Sequence, residues 1–184
     1  MKVKDLKVFI VGNPPPSWGG RYFIFVKLTT DNGITGIGEC YCDTFGPKAM
    51  TAMIEDTFYR YIEGMDPFHL ESMWRKVYGS GFSMRPDISL MGVLSGLEIA
   101  LWDIKGKRAG LPVYQLIGGR SRFAVDTYTH CSGSTMGAIE AQVKARQAQG
   151  FRHIRIQFGG YGSPQLNSSP DFRAAGFGQP KDQH

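Results

Sequence analysis

Cysteine is scarce in this sequence. Only Cys40, Cys42 and Cys131 occur among 184 residues, an odd number with no apolar leader behind Met1, so no disulfide framework is expected and a reducing, cytoplasmic setting is. The Cys40-Tyr41-Cys42 spacing is one residue short of a zinc knuckle, and no second pair follows, which argues against a structural zinc site. No apolar run approaches the ~20 residues that a bilayer requires, so no membrane span is expected. Nor is charge of one sign concentrated anywhere. The net charge of +5 comes from scattered residues such as Lys2, Lys27, Lys48 and Arg75, a solvated surface rather than a nucleic-acid footprint. This mild basicity suits a small anionic substrate equally well. Glycine is plentiful, but no glycine cluster follows a strand and opens a helix as a dinucleotide-binding turn must.

What is present suffices for a folded core: 42% of residues are hydrophobic and 12% aromatic, in a length ordinary for one domain. Val3 to Val11 mostly alternates and ends at Gly12-Asn13-Pro14-Pro15-Pro16, a strand closed by a rigid loop. Tyr22 to Thr30 and Ile34 to Cys40 are two further strand patterns joined by Asp31-Asn32-Gly33, a hairpin signal because Asn and Gly tolerate positive φ. Three antiparallel strands therefore open the chain. Helical stripes follow, first Met50, Ile54, Phe58 and Ile62, then Leu70, Met73, Trp74 and Val77, with Gly64 to Pro67 between them. The longest helix is expected from Ser89 to Arg108, where Leu90, Val93, Leu94, Leu97, Leu101 and Ile104 recur at three- and four-residue spacing. Gly110-Leu111-Pro112 ends it. After Gly118-Gly119 the pattern becomes strand (Ala124 to His130), helix (Thr135 to Gln149, with Ile139, Val143 and Ala145 inward) and strand (His153 to Phe158), a βαβ unit with parallel strands. Ser163 to His184 has no period and many breakers, so an irregular tail is expected. The expected organisation is a domain over 1–123, a second beginning over 124–162, and the tail over 163–184.

Two stretches carry a family resemblance. Gly96-Leu97-Glu98-Ile99-Ala100-Leu101-Trp102-Asp103-Ile104-Lys105-Gly106-Lys107, followed by Gly110-Leu111-Pro112-Val113-Tyr114-Gln115-Leu116-Ile117-Gly118-Gly119, resembles the signature of the mandelate racemase and muconate lactonizing branch of the enolase superfamily. Thr30 to Glu39 is similar to that branch's second hairpin. The resemblance implies an α+β amino-terminal cap domain, a three-stranded antiparallel sheet plus helices, followed by the first βαβ unit of an incomplete TIM-type barrel. Tyr128-Thr129-His130-Cys131-Ser132-Gly133 and His153-Ile154-Arg155-Ile156-Gln157 are more like mannonate and galactonate dehydratases than racemases. Where a racemase of the branch carries Lys-x-Lys, this chain has Arg155 and Gln157.

The implied chemistry is removal of the proton next to a sugar-acid carboxylate and loss of water, giving a 2-keto-3-deoxy acid. Arg155 with Tyr161 is the implied catalytic pair. Because a guanidinium is normally fully protonated, Arg155 needs a strong perturbation and a partner to act as a base; it could instead cap strand ends or pair with an acid. His130, at the expected end of the first barrel strand, is a candidate donor to substrate, or else a hydrogen-bonded barrel histidine. Gln157 joins them as a substrate-binding candidate. Asp43 stands where the dehydratases carry an asparagine that touches substrate, and Trp18, Arg21 and Arg85 lie in cap loops that would select the distal end of the substrate or else are ordinary loop packing. His69 and His153 read as solvated helix and strand starts. The family uses Mg2+ held by acidic residues on the third, fourth and fifth barrel strands. Only 61 residues follow position 123, against the ~250 of a whole barrel, so no metal ligand and no turnover are expected of this chain alone. Family membership also implies a homo-oligomer. A racemase or epimerase, and a non-catalytic cap acting as a binding or oligomerisation module, are the other readings.

Overall fold

A computed structural model describes residues 1–14, 22–41, 46–80, 87–133 and 135–158. The tail from 163, together with Trp18, Arg21, Asp43, Arg85 and Tyr161, lies outside the described residues. Two compact units are present, Met1–Ser121 and Arg122–His184.

The first unit opens with an antiparallel sheet in the order β1 (Val3–Gly12), β2 (Tyr22–Thr30) and β3 (Thr35–Cys40). Its second hairpin turns where Asn-Gly predicts. Gly33 takes φ 85°, a conformation open to glycine without a Cβ penalty. The Thr30 hydroxyl stands 2.6 Å from Asn32 Oδ1 and 2.9 Å from Ile34 O, with its single proton shared between these two acceptors, and Lys2 N donates to the Asp31 carboxylate at 3.0 Å. Alternation then decides what is inside: Ile24, Val26 and Leu28 of β2 are buried against the helices, while Phe23, Phe25 and Lys27 lie on the other face.

Two helices cover the inner face and a third packs against them. The stripe Met50, Ile54 and Phe58 of α1 (Pro47–Tyr61) is fully buried, with Ile62 capping it. Asp66 accepts from Phe68 N at 3.0 Å and starts a 3-10 turn at Pro67–His69, which leads into α2 (Leu70–Ser80) with Leu70, Met73 and Val77 inward. The long α3 (Ile88–Ala109) starts at Asp87, whose carboxylate accepts from Ser89 N and Leu90 N, and stops at Gly110 with φ 67°. Val93, Leu94, Leu97, Leu101 and Ile104 are all fully buried. At ~1.5–3 kcal/mol each, these five side chains contribute on the order of 10 kcal/mol before the entropy cost.

Glycines let α3 lie directly on β3. A Cβ at Gly38 would overlap the Gly96 carbonyl oxygen and come within 2.9 Å of Gly96 C and 3.0 Å of Ala100 N; one at Gly36 would overlap the Ala100 carbonyl. The same helix also finishes the sheet. β3 is an outer strand, so among the described residues one side of its backbone has no strand partner. There, Asp103 Oδ2 accepts from Ile37 N at 2.9 Å, Lys107 Nζ donates to Thr35 O at 2.8 Å, and the two side chains pair at 2.8 Å. Much of the signature is therefore a packing and edge-closing device. A short α4 (Val113–Leu116) follows.

The second unit is a βαβ: β4 (Tyr128–Gly133) pairs in parallel with β5 (His153–Phe158), and α5 (Met136–Ala148) connects them. Three details differ from the sequence reading. The first strand begins at Tyr128 rather than Ala124, because β5 starts at His153, opposite Tyr128, and offers nothing earlier to pair with. It also runs on to Gly133, as the ladder continues to Phe158. Ala145 is exposed, not inward: the covered stripe of α5 is Ile139, Val143 and Arg146, the i, i+4, i+7 positions of one helical face, and Ala145 falls off it. Among the described residues no helix is long and apolar enough to cross a membrane.

Candidate active site

The two faces of the β4–β5 sheet differ. On one, Cys131 is fully buried beneath Ile139 of α5, and a Cβ at Gly133 would already stand 3.2 Å from Ile139 Cγ1. Thr135 Oγ1 accepts from Ala138 N at 3.2 Å and fixes the start of that helix. Gln142 of α5 reaches back to the strand, donating to Ser132 O at 2.5 Å.

The opposite face carries the polar side chains. In parallel register His130 stands beside Arg155, and Tyr128 beside His153, so these four share one face; all are exposed. Gln157 occupies the register position opposite Ser132. His130 and Arg155 are each third of six residues in their strands, and His130 is not at the strand end expected from sequence, because the ladder extends three pairs beyond it. The Tyr128 ring lies against the His130 imidazole, with centroids 5.1 Å apart and planes 33° from parallel. Sequence reasoning passed over Tyr128, although period-two alternation alone puts it on the same face as His130.

Asp126 lies just before β4. It accepts from Arg152 at 2.8 Å and pairs with His153 Nε2 at 3.1 Å. Desolvation pushes the Asp126 carboxyl up, but the His153 hydrogen bond and the Arg152 charge outweigh it and hold the group below its usual range. His153, expected as a merely solvated strand start, is thus tied to the preceding segment. His69, in the 3-10 turn, is exposed. A cleft of about 270 Å³ lined by Asp126, Thr127, Gln149 and Arg152 is at the amino-terminal end of the strands, the end that serves stability rather than chemistry in barrels.

The donor set near His130 is a guanidinium, an imidazole and a phenol. Mg2+ takes oxygen ligands, carboxylates above all. Among the described residues no group of three His, Cys, Asp or Glu side chains could hold a metal ion, so these residues do not fit Mg2+.

Residues 16–118 match the family model described as the mandelate racemase/muconate lactonizing enzyme N-terminal domain. The chain belongs to this family. A D-galactonate dehydratase family member from Paenibacillus sp. (strain JDR-2) is 38% identical over 143 residues, 78% of this chain and 35% of that protein. The crystal structure of a mandelate racemase/muconate lactonizing enzyme from Sulfitobacter sp. is 46% identical with a TM-score of 0.78, covering 84% of this chain and 41% of that one. An enolase from Pantoea ananatis, solved with bound D-gluconate and Mg, is 31% identical with a TM-score of 0.74, covering 88% and 37%. The chain spans about a third of the length of the curated relatives it matches. The mandelate racemase/muconate lactonizing fold accounts for both units: an α+β cap, then a parallel strand pair that is part of a barrel.

Proposed function

We propose that this sequence is the cap (1–123) and barrel start (124–162) of a cytoplasmic, Mg2+-dependent acid-sugar dehydratase, which removes the proton next to a carboxylate and expels water to give a 2-keto-3-deoxy acid. The observation that carries this reading is the pairing of His130 with Arg155 on one sheet face, in a chain whose relatives are named for galactonate dehydration. Adjacent strands lie ~4.8 Å apart, so the two side chains bracket a single carboxylate. The guanidinium offers a planar fork that matches both carboxylate oxygens, and the imidazole donates to the carboxylate or to a neighbouring hydroxyl. Arg155 with Tyr161 is the proposed catalytic pair that takes the proton, while His130, Gln157, Asp43, Trp18, Arg21 and Arg85 form the proposed substrate-binding set, and the protein acts as a homo-oligomer. The described residues provide no Mg2+ ligands.

The test uses a full-length protein carrying this sequence, Mg2+, and a panel of hexonic acids, with the keto-acid product measured. Loss of water from one acid, and a fall in kcat/KM of about 100-fold or more for His130→Ala and for Arg155→Lys, is the expected result. Deuterium exchange next to the carboxylate without water loss would replace this reading with a racemase or epimerase. Neither reaction with any acid would leave the cap as a binding module. The 184-residue chain by itself is expected to give no product.

A further inference from the structure

Tyr128 has no part in the chemistry proposed above, yet it bears on a side chain that does. Residues two apart on a strand are separated by ~6.6 Å along it, and side chains there stand roughly perpendicular to the sheet with a common lean. Rings rising in that way from Tyr128 and His130 would keep the separation. Their centroids are instead 5.1 Å apart, with planes 33° from parallel, so the two rings lean together into the range of an offset aromatic pair. The neighbouring position on β5 is filled by His153, whose Nε2 is tied to Asp126 at 3.1 Å. The Tyr128 ring lies along β4 instead.

No polar contact holds the imidazole: among the described residues neither nitrogen of His130 makes a hydrogen bond or an ion pair, and its ring contact is with Tyr128. A histidine that handles a substrate is ordinarily oriented by a hydrogen bond from its second ring nitrogen. Here a ring face takes the place of that partner. It restrains the plane of the imidazole and leaves both nitrogens open to a ligand. Tyr128 is itself 59% exposed, so core packing among the described residues does not account for an aromatic side chain at this position.

We propose that Tyr128 is a positioning residue that acts through His130: its ring fixes the plane of the imidazole so that an N–H points to the substrate held beside Arg155. The inference rests on the reading of His130 as a donor to the substrate, and adds the residue that aims it. An exposed histidine otherwise spreads over three χ1 wells. An aromatic pair of this kind shifts such an equilibrium by roughly 3- to 10-fold, and loss of the ring should cost the reaction that factor. Stacking does not use the phenol hydroxyl, so phenylalanine can stand in for Tyr128.

The 184-residue chain supplies the first measurement. NMR spectra of its four histidines, with His130 assigned by His130→Gln, should show nuclear Overhauser contacts between the His130 imidazole and the Tyr128 ring, and Hα–Hβ couplings of one dominant χ1 rotamer. Tyr128→Phe should keep that rotamer and Tyr128→Leu should average it, with circular dichroism establishing that both variants fold. The second measurement is kinetic, on the full-length protein carrying this sequence, with Mg2+ and the acid it dehydrates. Tyr128→Leu should lower kcat/KM about 3- to 10-fold, and Tyr128→Phe should restore it to near wild type. In a His130→Ala background Tyr128→Leu should cost nothing further, whereas a residue that only stabilises the fold would cost the same with or without His130. Additive losses, an equal loss in Tyr128→Phe, absence of the ring contact in the wild-type chain, or a His130 rotamer indifferent to Tyr128→Leu would each overturn the proposal. If the full-length protein dehydrates no acid, the dehydratase reading falls; the NMR result, which needs no turnover, still upholds or overturns the role of Tyr128 at His130.

Discussion

Replacing Gly38 with alanine tests how closely β3 and α3 approach. The added methyl group would overlap the Gly96 carbonyl oxygen and stand 2.9 Å from Gly96 C and 3.0 Å from Ala100 N. All three are backbone atoms of a helix whose adjoining face is packed into the core through Val93, Leu97 and Leu101, so no rotamer change relieves the clash and the helix must move off the sheet. Overpacking in a filled interior costs ~1–3 kcal/mol, and backbone-on-backbone contact puts this site at about 3 kcal/mol. Part of that is offset by the smaller conformational entropy that alanine loses on folding, ~0.5–1 kcal/mol, leaving a net loss of roughly 2 kcal/mol. Urea unfolding followed by circular dichroism should show a lower midpoint with an unchanged slope. Gly79→Ala is the control: in α2 its methyl group would meet nothing within 4 Å, so stability should rise by up to about 1 kcal/mol. A Gly38→Ala midpoint equal to or above wild type would refute the close-approach argument.

Three further outcomes follow from the same geometry. Asp103→Ala removes the acceptor for Ile37 N and the partner of Lys107; the cost should be about 1 kcal/mol, with a larger increase in turbidity on heating because the β3 edge is opened. Burial, with a smaller push from the Glu39 charge, drives the Cys40 thiol up to about 12 from the ordinary value of 9.0. The folded state therefore holds its proton more tightly than the unfolded state. That stability is intact below pH 9 and is lost as pH rises from 9 towards 12, at up to ~1.4 kcal/mol per pH unit; Cys40→Ala should flatten this alkaline limb in melting experiments. At Asp126 the sign reverses: a lowered carboxyl contributes stability present above the unfolded value and lost as pH falls through the folded one. Asp126→Asn should remove that part of the acid transition, and an unchanged acid limb would mean that the Arg152 and His153 contacts contribute nothing in solution.

The elements most legible in the sequence were those decided by local periodicity. Met50, Ile54 and Phe58 recur on one helical face, and Asp31-Asn32-Gly33 leaves the chain little choice but to turn. The strand beginning at Ala124 was misplaced because strand ends are set by the partner strand: Val125 has strong strand propensity, but nothing lies beside it in the ladder. The glycine seam was visible as composition and illegible as contact, since only the fold brings Gly38 to Gly96. At the candidate site the sequence named His130 and Arg155, and register put them side by side. It did not yield the Asp126–His153 tie, which joins residues 27 positions apart, nor the Gln142 reach to Ser132, which depends on how α5 lies across its strand.

The clip that closes β3 also sets a timetable for synthesis. Ile37 waits for Asp103, 66 residues downstream, and Thr35 waits for Lys107, 72 residues downstream. At ~5–20 residues per second, a nascent hairpin spends roughly 3–14 s with its outer edge unprotected before α3 has been made. Throughout that interval the β3 backbone is open to other strands, including those of neighbouring nascent chains on the same message. Slowing translation between codons 40 and 107 should therefore lower the soluble yield of a protein whose finished fold is unchanged.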